Sequence, residues 1–253
     1  MSDIGLFLSH GSPLTLAEDT RARAFLVELG QTLPKPKAVL AVSAHWTTRQ
    51  PAIGGAAWPE TIHDFFGFPD FLYERRYPAP GAPELAQKVV GLLGEGAALD
   101  PERGLDHGIW TVMSLLWPDR DVPVVPMAVQ PRQGARYHYE MGQKLKPLAE
   151  DGVLILGTGA ATHNLRAYMG NQPGVAPQPW VLAFTDWLAA TAAEGDTEAL
   201  IDYRARAPFA VENHPTDEHL LPFHVVLGAT GRAERIHASV EYGVIAMDDY
   251  RFR

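Results

Sequence analysis

Short apolar runs alternate along the chain with longer segments of helical periodicity. Each run is too short for a helix buried on all sides and predicts a strand inside a sheet. The predicted strands are 4–9, 38–44, 122–129 and 153–157, with two more near 234–240 and 243–248. The predicted helices are 20–31, 82–94, 108–116, 136–150, 179–193 and 217–228. This alternation predicts one α/β domain over residues 1–253: a three-layer fold with a central mixed, mostly parallel sheet flanked by helices.

Apolar side chains recur at helical spacing in the segment 179–193, and such a stripe is typical of a helix face that packs on the core. We therefore expect burial, and no chemistry, for Trp180, Leu182, Ala183, Trp187 and Leu188. Stretches rich in Pro and Gly predict loops at 49–60, 77–83 and 170–179.

Two of the predicted strands are each followed directly by a histidine. His10 comes after the first apolar run, and His45 comes after the second. In an open α/β sheet, ligand sites form beyond the carboxyl ends of the strands, so the two imidazoles are expected to converge there. Imidazole is the commonest metal ligand in proteins, and the pair therefore predicts a metal site.

Three more histidines lie near turns or helix starts. His163 follows the strand 153–157 after a turn of small residues, which allows the backbone to approach a ligand closely, so we expect it at the same edge. His107 lies at a predicted helix start, with an exposed loop histidine as the alternative. His63 lies in an aromatic loop, where contact with a substrate and simple packing are equally compatible with the sequence.

Three histidines and two acids crowd the segment 213–224. A helix start alone explains Thr216 and Asp217 as cap and first-turn residues, so only one or two groups here are expected to reach the centre. His138 and His237 are expected to be ordinary surface residues.

The amino-acid composition limits which metals and partners are expected. The chain has 253 residues and no cysteine, so any metal must be held by nitrogen and oxygen, which favours iron, zinc or manganese. A formal net charge of -9 with a pI ≈ 5.5 disfavours nucleic acid and anionic membranes as partners and favours small molecules. Because no apolar run approaches the roughly 18 residues of a membrane span, and the first residues lack a basic leader, a cytoplasmic location is expected. These patterns leave the oligomeric state open.

Seven short motifs occur in order along nearly the whole chain. They are Ser9-His10-Gly11-Ser12-Pro13, Ser43-Ala44-His45-Trp46, Thr61-Ile62-His63-Asp64-Phe65, Tyr77-Pro78-Ala79-Pro80-Gly81, Asp106-His107-Gly108, His163-Asn164-Leu165 and Glu218-His219-Leu220-Leu221-Pro222. Together they resemble the DOPA dioxygenase family, a branch of the class III extradiol ring-cleaving enzymes (protocatechuate 4,5-dioxygenase β-subunit-like). The resemblance implies a non-haem metal-dependent enzyme that inserts O2 into a catechol-type ring.

The resemblance also implies a set of metal ligands. His10 and His45 match two invariant metal histidines, and His219 matches the third ligand of this branch. Other branches use a glutamate as third ligand, so Glu218 remains the alternative. Fe(II) is expected for activity. Zn(II) is expected in the protein as purified, because it lies above Fe(II) in the affinity order.

The other matched histidines are expected to act on the substrate. His163 matches an acid/base histidine that can also approach the metal as a fourth ligand. His107 matches a histidine that contacts oxygen or a substrate hydroxyl, and His63 is expected to contact the substrate. Four arginines are candidate partners for a substrate carboxylate, with no choice among them: Arg49, Arg75, Arg76 and Arg166.

Two other functions are compatible with several histidines around one point. A zinc hydrolase would use three histidines to hold Zn2+ and a bound water to attack an ester or amide. A non-catalytic module of the same fold would bind a peptide or another partner in the cleft, and loss of the metal histidines would favour it. Those histidines are present, and dependence on O2 separates the two enzymes.

Overall fold

A computed structural model describes residues 5–253. Its strands are β1 (Gly5–Ser9), β2 (Ala38–Thr47), β3 (Ala52–Gly54), β4 (Ala98–Asp100), β5 (Val124–Val129), β6 (Val153–Gly159), β7 (Ala233–His237), β8 (Val240–Glu241), β9 (Ile245–Ala246) and β10 (Asp249–Phe252). Its helices are α1 (Arg21–Thr32), α2 (Asp70–Tyr73), α3 (Pro83–Leu93), α4 (His107–Leu116), α5 (Gly134–Glu150), α6 (Leu165–Tyr168), α7 (Pro179–Glu194), α8 (Thr197–Ile201), α9 (Tyr203–Arg206), α10 (Ala210–Asn213) and α11 (Leu221–Thr230), with 3₁₀ turns at Pro13–Leu16 and Pro131–Gln133.

The central sheet is mixed and mostly parallel. Over residues 5–253 its strand order is β4-β3-β5-β2-β6-β1-β10-β7. The pairs β5–β2, β2–β6 and β6–β1 are parallel, as is β3–β4. The β3–β5, β1–β10 and β10–β7 pairs are antiparallel. The predicted α/β class is therefore confirmed.

Successive residues of the central strands pack against opposite helical layers. In β1, Phe7 belongs to one core cluster, whereas Leu6 and Leu8 belong to the other. In β2 the same alternation separates Leu40 from Val39. Helices α3, α5, α7 and α11 cover the first face, and α1 and α4 cover the second. Because both faces are covered, the strands are apolar along their whole length, which is why they appear in the sequence as continuous runs.

The predicted boundaries of strands and helices are wrong where the elements are short. The predicted loop 49–60 contains β3, and the predicted strand 243–248 is replaced by the short strand β9, which follows a turn, with β10 beginning only at Asp249. The predicted helix 217–228 begins only at Leu221. Residue 4 of the first predicted strand lies outside the described residues. Such short elements depend on pairing with distant strands, which local patterns do not contain.

Helix α7 faces the core with residues other than the predicted stripe. Val181, Phe184 and Leu188 are buried, whereas Leu182 is 42% exposed. Trp180, Ala183 and Trp187 are half-buried, so only Leu188 of the predicted set is buried. The helix carries apolar residues around most of its circumference, and spacing alone therefore does not identify its inner face.

His138 and His237 are not the surface residues predicted from the sequence. His138 is buried in α5, where its Nδ1 donates to the Gly134 carbonyl at 2.7 Å and its Nε2 accepts from the Gln130 N–H at 3.0 Å. Burial lowers the pKa of His138 to about 4. His237 is half-buried and stacks on Phe25 with 4.6 Å between ring centroids. Both histidines have structural contacts instead of free surface positions.

No helix within residues 5–253 is long and apolar enough to cross a membrane. The expected cytoplasmic location stays a prediction.

Helices α5 and α11 approach so closely that glycine is required on both. A Cβ at Gly142 would lie 2.0 Å from the Val225 carbonyl oxygen, and one at Gly228 would lie 1.9 Å from that of Tyr139. Backbone on the opposite helix cannot give way as a flexible side chain can. This contact holds α11, and the segment that precedes it, against the sheet.

We predict opposite effects of alanine at two helical glycines. Gly142→Ala should lower the free energy of unfolding by at least about 1–3 kcal/mol, the usual cost of overpacking. Gly91→Ala, on the exposed side of α3 with nothing within 4 Å of the new methyl group, should raise it by up to about 1 kcal/mol through helix propensity. Urea unfolding measures both. Equal effects of the two substitutions would contradict the close helix contact.

Candidate metal centre

Five of the predicted site histidines lie together at the carboxyl ends of the parallel strands. His10 follows β1, His45 lies near the end of β2, and His163 follows β6. His107 begins α4, and His219 lies just before α11. Ring centroids of contacting pairs are 3.3 to 5.6 Å apart. A register shift between residues 43 and 47 of β2 disrupts regular strand geometry beside His45, which lies inside the strand and not after it.

The ligand atoms of these histidines and of Glu218 fall into two groups, and each group is compact enough to hold one ion. Nε2 of His10 lies 2.9 Å from Nε2 of His45. Two metal–nitrogen bonds of about 2.0–2.1 Å span this distance easily. Potential ligand atoms of His10, His45 and His107 all lie within 4.8 Å of one another, as do those of His163, Glu218 and His219. The arrangement can therefore hold a metal ion with imidazole ligands.

Thr158 determines which nitrogen of His10 is free. Its hydroxyl donates to the Gly108 carbonyl at 2.6 Å, which uses the single hydroxyl hydrogen. Nδ1 of His10, 3.1 Å from the same oxygen, must then be the donor of that contact. The remaining nitrogen of His10, Nε2, consequently carries a lone pair and faces His45.

Glu218 determines which nitrogen of His219 is free. Nδ1 of His219 lies 3.1 Å from Oε1 of Glu218, and Thr216 donates to that same carboxylate oxygen at 2.9 Å. Nε2 of His219 is buried and has no hydrogen-bond partner among residues 5–253. A buried polar atom without a partner is costly unless a ligand satisfies it. This geometry favours His219 as the ligand, oriented by the Glu218 carboxylate.

Asp64 contacts two of the histidines, although the sequence patterns do not single it out. Its Oδ1 lies 3.0 Å from Nδ1 of His107 and accepts from the His107 N–H at 2.9 Å. Its Oδ2 lies 3.6 Å from Nδ1 of His45. Burial raises the pKa of Asp64, but the contacts with His107 outweigh it and lower the pKa to about 2. The ionised carboxylate thus orients both rings, and its only sequence signal is its place beside His63.

Asp106 anchors the start of α4 beneath these rings. This buried carboxylate caps α4 at the Ile109 N–H, accepts from the Ser43 hydroxyl at 2.7 Å and pairs with Arg103 at 2.6 Å. A Cβ at Gly108 would lie 3.0 Å from Cδ2 of His45, so glycine lets the helix start pack against the imidazoles. Strand β2 and helix α4 are therefore held together at the site.

Burial favours the neutral form of His10, His45, His163 and His219. Desolvation, followed by repulsion from neighbouring histidines, lowers the pKa of His10 and of His219 well below 6.5. Burial also lowers the pKa of His45 to about 3 and that of His163 to about 4. Neutral imidazole is the form that binds metal.

His163 lies at the open side of the centre. Its ring stacks on that of His219 with centroids 3.3 Å apart and planes 12° apart, and the backbone N–H of His163 donates to the Asn213 carbonyl at 2.8 Å. The side chain is half-buried, whereas His219 beneath it is buried. His163 can therefore reach a molecule that enters the centre.

Two other histidines of the segment 213–224 are structural. His214 bonds the Ala161 carbonyl through Nε2 at 2.9 Å, and His224 lies 3.0 Å from each of the Leu200 and Leu220 carbonyls. Both are buried. Of the three histidines in this segment, His219 is the one that reaches the centre.

His63 lies outside the histidine cluster, and the ring of Phe65 separates it from His107. Its ring contacts Phe65 and Trp110 at 5.7 and 5.8 Å, and Phe65 in turn lies 5.8 Å from the ring of His107. Nε2 of His63 lies 3.0 Å from the Arg75 carbonyl. Arg75 and Arg76 line a separate cavity, and Arg49 and Arg166 are exposed.

The fold and the site together define an α/β enzyme class in which a histidine centre at the strand ends can hold a metal ion. The family described as Catalytic LigB subunit of aromatic ring-opening dioxygenase matches residues 5–252, and the chain belongs to this family. The predicted family is confirmed.

Named relatives are extradiol dioxygenases. A 4,5-DOPA dioxygenase extradiol of Beta vulgaris is 41% identical over 256 residues, covering 97% of this chain and 95% of the relative. The protein of the same name from Escherichia coli strain K12 is 41% identical over 241 residues, covering 93% and 88%. The crystal structure of an uncharacterized protein from Escherichia coli K12 has a TM-score of 0.82 at 33% identity and covers 98% of this chain and 99% of that one. The predicted enzyme class, an extradiol ring-opening dioxygenase, is confirmed, and neither the hydrolase nor the binding module is favoured.

The imidazole tautomers give a test of the site that requires no metal. In metal-free protein at neutral pH, His10 and His219 should both carry their proton on Nδ1, because Thr158 and Glu218 accept from that atom. Nitrogen chemical shifts of labelled histidine distinguish the two tautomers. Thr158→Val should remove the preference at His10, whereas Thr158→Ser should keep it. An Nε2-protonated His10 in the wild-type protein would contradict this geometry.

Proposed function

We propose that the chain is a non-haem, Fe(II)-dependent extradiol dioxygenase that opens a catechol-type, DOPA-like aromatic ring with O2, with residues 1–253 forming one catalytic domain. The observation that carries the proposal is a set of imidazole nitrogens at the strand ends: Nε2 of His10 lies 2.9 Å from Nε2 of His45, and the buried Nε2 of His219 has no hydrogen-bond partner in the described chain. Family membership supplies the reaction class.

We assign the metal to His10, His45 and His219, with Glu218 orienting His219. Three ligands on one side leave room for a substrate that binds through two adjacent oxygens. The bound Fe(II) would supply the electron transfer between a catecholate and O2. Zn(II) is the ion we expect after aerobic purification, with His163 as a fourth ligand, because zinc binds such sites more tightly than Fe(II).

His163 is assigned the proton transfer. Burial lowers its pKa to about 4, so at neutral pH its ring is uncharged and has a nitrogen free to accept a proton from an entering catechol. Stacking on His219 restricts its position beside the metal ligands. The same ring, once protonated, can return the proton later in the reaction.

His107 is assigned the contact with a substrate hydroxyl. Because Nδ1 of His107 lies 3.0 Å from the Asp64 carboxylate, a proton on Nδ1 is favoured, and the other ring nitrogen then carries a lone pair that can accept from that hydroxyl. The edge of Phe65 lies against the same imidazole and provides an apolar surface for an aromatic ring. His63, on the far side of Phe65, is assigned to the substrate-binding loop.

The proposal is tested by loading metal-free protein with Fe(II) or Zn(II) without oxygen, adding a panel of catechols, and then measuring O2 uptake and ring-fission products. Fe(II) protein should consume one O2 per ring opened, and Zn(II) protein none. His163→Gln should keep its iron but lose about 10²–10⁴ in turnover, the usual effect of losing a general acid/base. The matched control His237→Gln, outside the site, should keep full turnover.

Two results would contradict the proposal. Ring opening by iron-free zinc protein would show that a redox-active metal is not needed. Ester or amide hydrolysis without O2 would support the hydrolase instead.

A further inference from the structure

A cavity lined by arginines lies beside α4. Its volume is about 550 Å³, and four guanidinium-bearing residues border it together with a single acid, Glu74. The four arginines are Arg23, Arg75, Arg76 and Arg120. In a chain with a formal net charge of -9, such a concentration of positive charge is unexpected.

None of the four forms an ion pair within residues 5–253. Nε of Arg23 donates to the Leu16 carbonyl, and Nη1 of Arg76 lies within hydrogen-bond distance of the carbonyls of Tyr73 and Arg75 and of Nε2 of His63. Other arginines of the chain do pair with carboxylates: Arg103, Arg136, Arg204, Arg206 and Arg235. Guanidinium groups around one cavity repel each other unless an anion lies between them. The cavity thus offers several unused donors to a negatively charged ligand.

The cavity is separate from the histidine centre. His107, Trp110 and Ser114 share one face of α4, and seven residues along a helix span about 10 Å. Trp110 and Ser114 line the cavity, whereas His107 does not. Between them, Phe65 contacts His107 at 5.8 Å and Trp110 at 6.1 Å. The Trp110 Nε1–H donates to the Ile62 carbonyl at 2.8 Å, which holds this aromatic wall in place.

The lining defines the chemistry of the ligand. Guanidinium forks match the paired oxygens of phosphate and carboxylate groups, and several forks in one cavity favour more than one negative charge. Leu16, Leu115 and Pro118 add apolar wall, so an organic portion can accompany the anionic group.

We propose that the cavity beside α4 is a binding site for a small multivalent oxyanion carrying phosphate or carboxylate groups, distinct from the ring-opening centre. Arg23, from α1, and Arg120, from the turn after α4, reach it from different elements. An anion there would be held between the layer formed by α1 and α4 and the segment that contains Arg75 and Arg76.

Calorimetric titration of the metal-loaded protein tests the site, with inorganic phosphate, glycerol phosphate and succinate as separate ligands. At least one should bind with one site per chain, and added NaCl should weaken it, because charge carries the interaction. The double variant Arg23→Gln/Arg120→Gln should lose at least about tenfold in affinity. The singles Arg23→Gln and Arg120→Gln should each lose part of it. The control Arg132→Gln, an exposed arginine outside the cavity, should bind as the wild type does.

The three ligands distinguish the chemical class of the anion. Binding of inorganic phosphate, of glycerol phosphate or of succinate would each support the site and would identify the ligand as a free phosphate, a phosphate ester or a dicarboxylate. Retained ring-opening activity in the double variant separates this inference from the proposed function. Unchanged affinity in the double variant would overturn the inference. This outcome includes anions that bind at the metal ion and not in the cavity. The absence of binding at about 10 mM of all three anions, far above the dissociation constant that several charge-assisted contacts should give, would also overturn it.

Discussion

The structure depends on keeping several imidazoles neutral and correctly oriented in one buried place. One nitrogen of each ring lies against an oxygen outside the centre: that of Thr158 for His10, that of Glu218 for His219 and that of Asp64 for His107. The opposite nitrogens are thereby left with lone pairs that face inward. Burial opposes protonation, which would place like charges within a few ångströms of one another. A metal ion relieves the same constraint, because it satisfies the lone pairs that the protein leaves unpaired.

The fold supplies this arrangement through close backbone packing at the strand ends. β1, β2 and β6 are adjacent and parallel, so the residues that follow them emerge side by side. Glycine at 159 lets the segment carrying His219 approach β6, since a Cβ there would lie 2.0 Å from the His219 carbonyl oxygen. Helix α11 continues from that segment and packs on α5 through Gly142 and Gly228. The position of His219 is thus coupled to the contact between α11 and α5 on the same face of the sheet.

Much of this architecture follows from local sequence patterns. The strands that carry the site are short apolar runs buried on both faces, and the positions of His10, His45 and His163 relative to them were predictable. The role of Asp64 was not predictable, because it depends on contacts with His107, 43 positions away in the chain. The role of Thr158 was not predictable for the same reason, since its partners His10 and Gly108 lie on other elements. His138 was misjudged because a histidine bonded within a helix and one at its surface have the same local sequence.

Anaerobic titration of Fe(II) into metal-free protein tests the central claim most directly. The wild-type protein should bind one ion per chain. His10→Ala, His45→Ala and His219→Ala should each lose most of that binding, whereas Glu218→Ala, which removes only the orienting carboxylate, should retain it with an affinity lowered by about 10–100-fold. Full binding in all three histidine variants, or loss of binding in Glu218→Ala with retention in His219→Ala, would contradict the three-histidine centre.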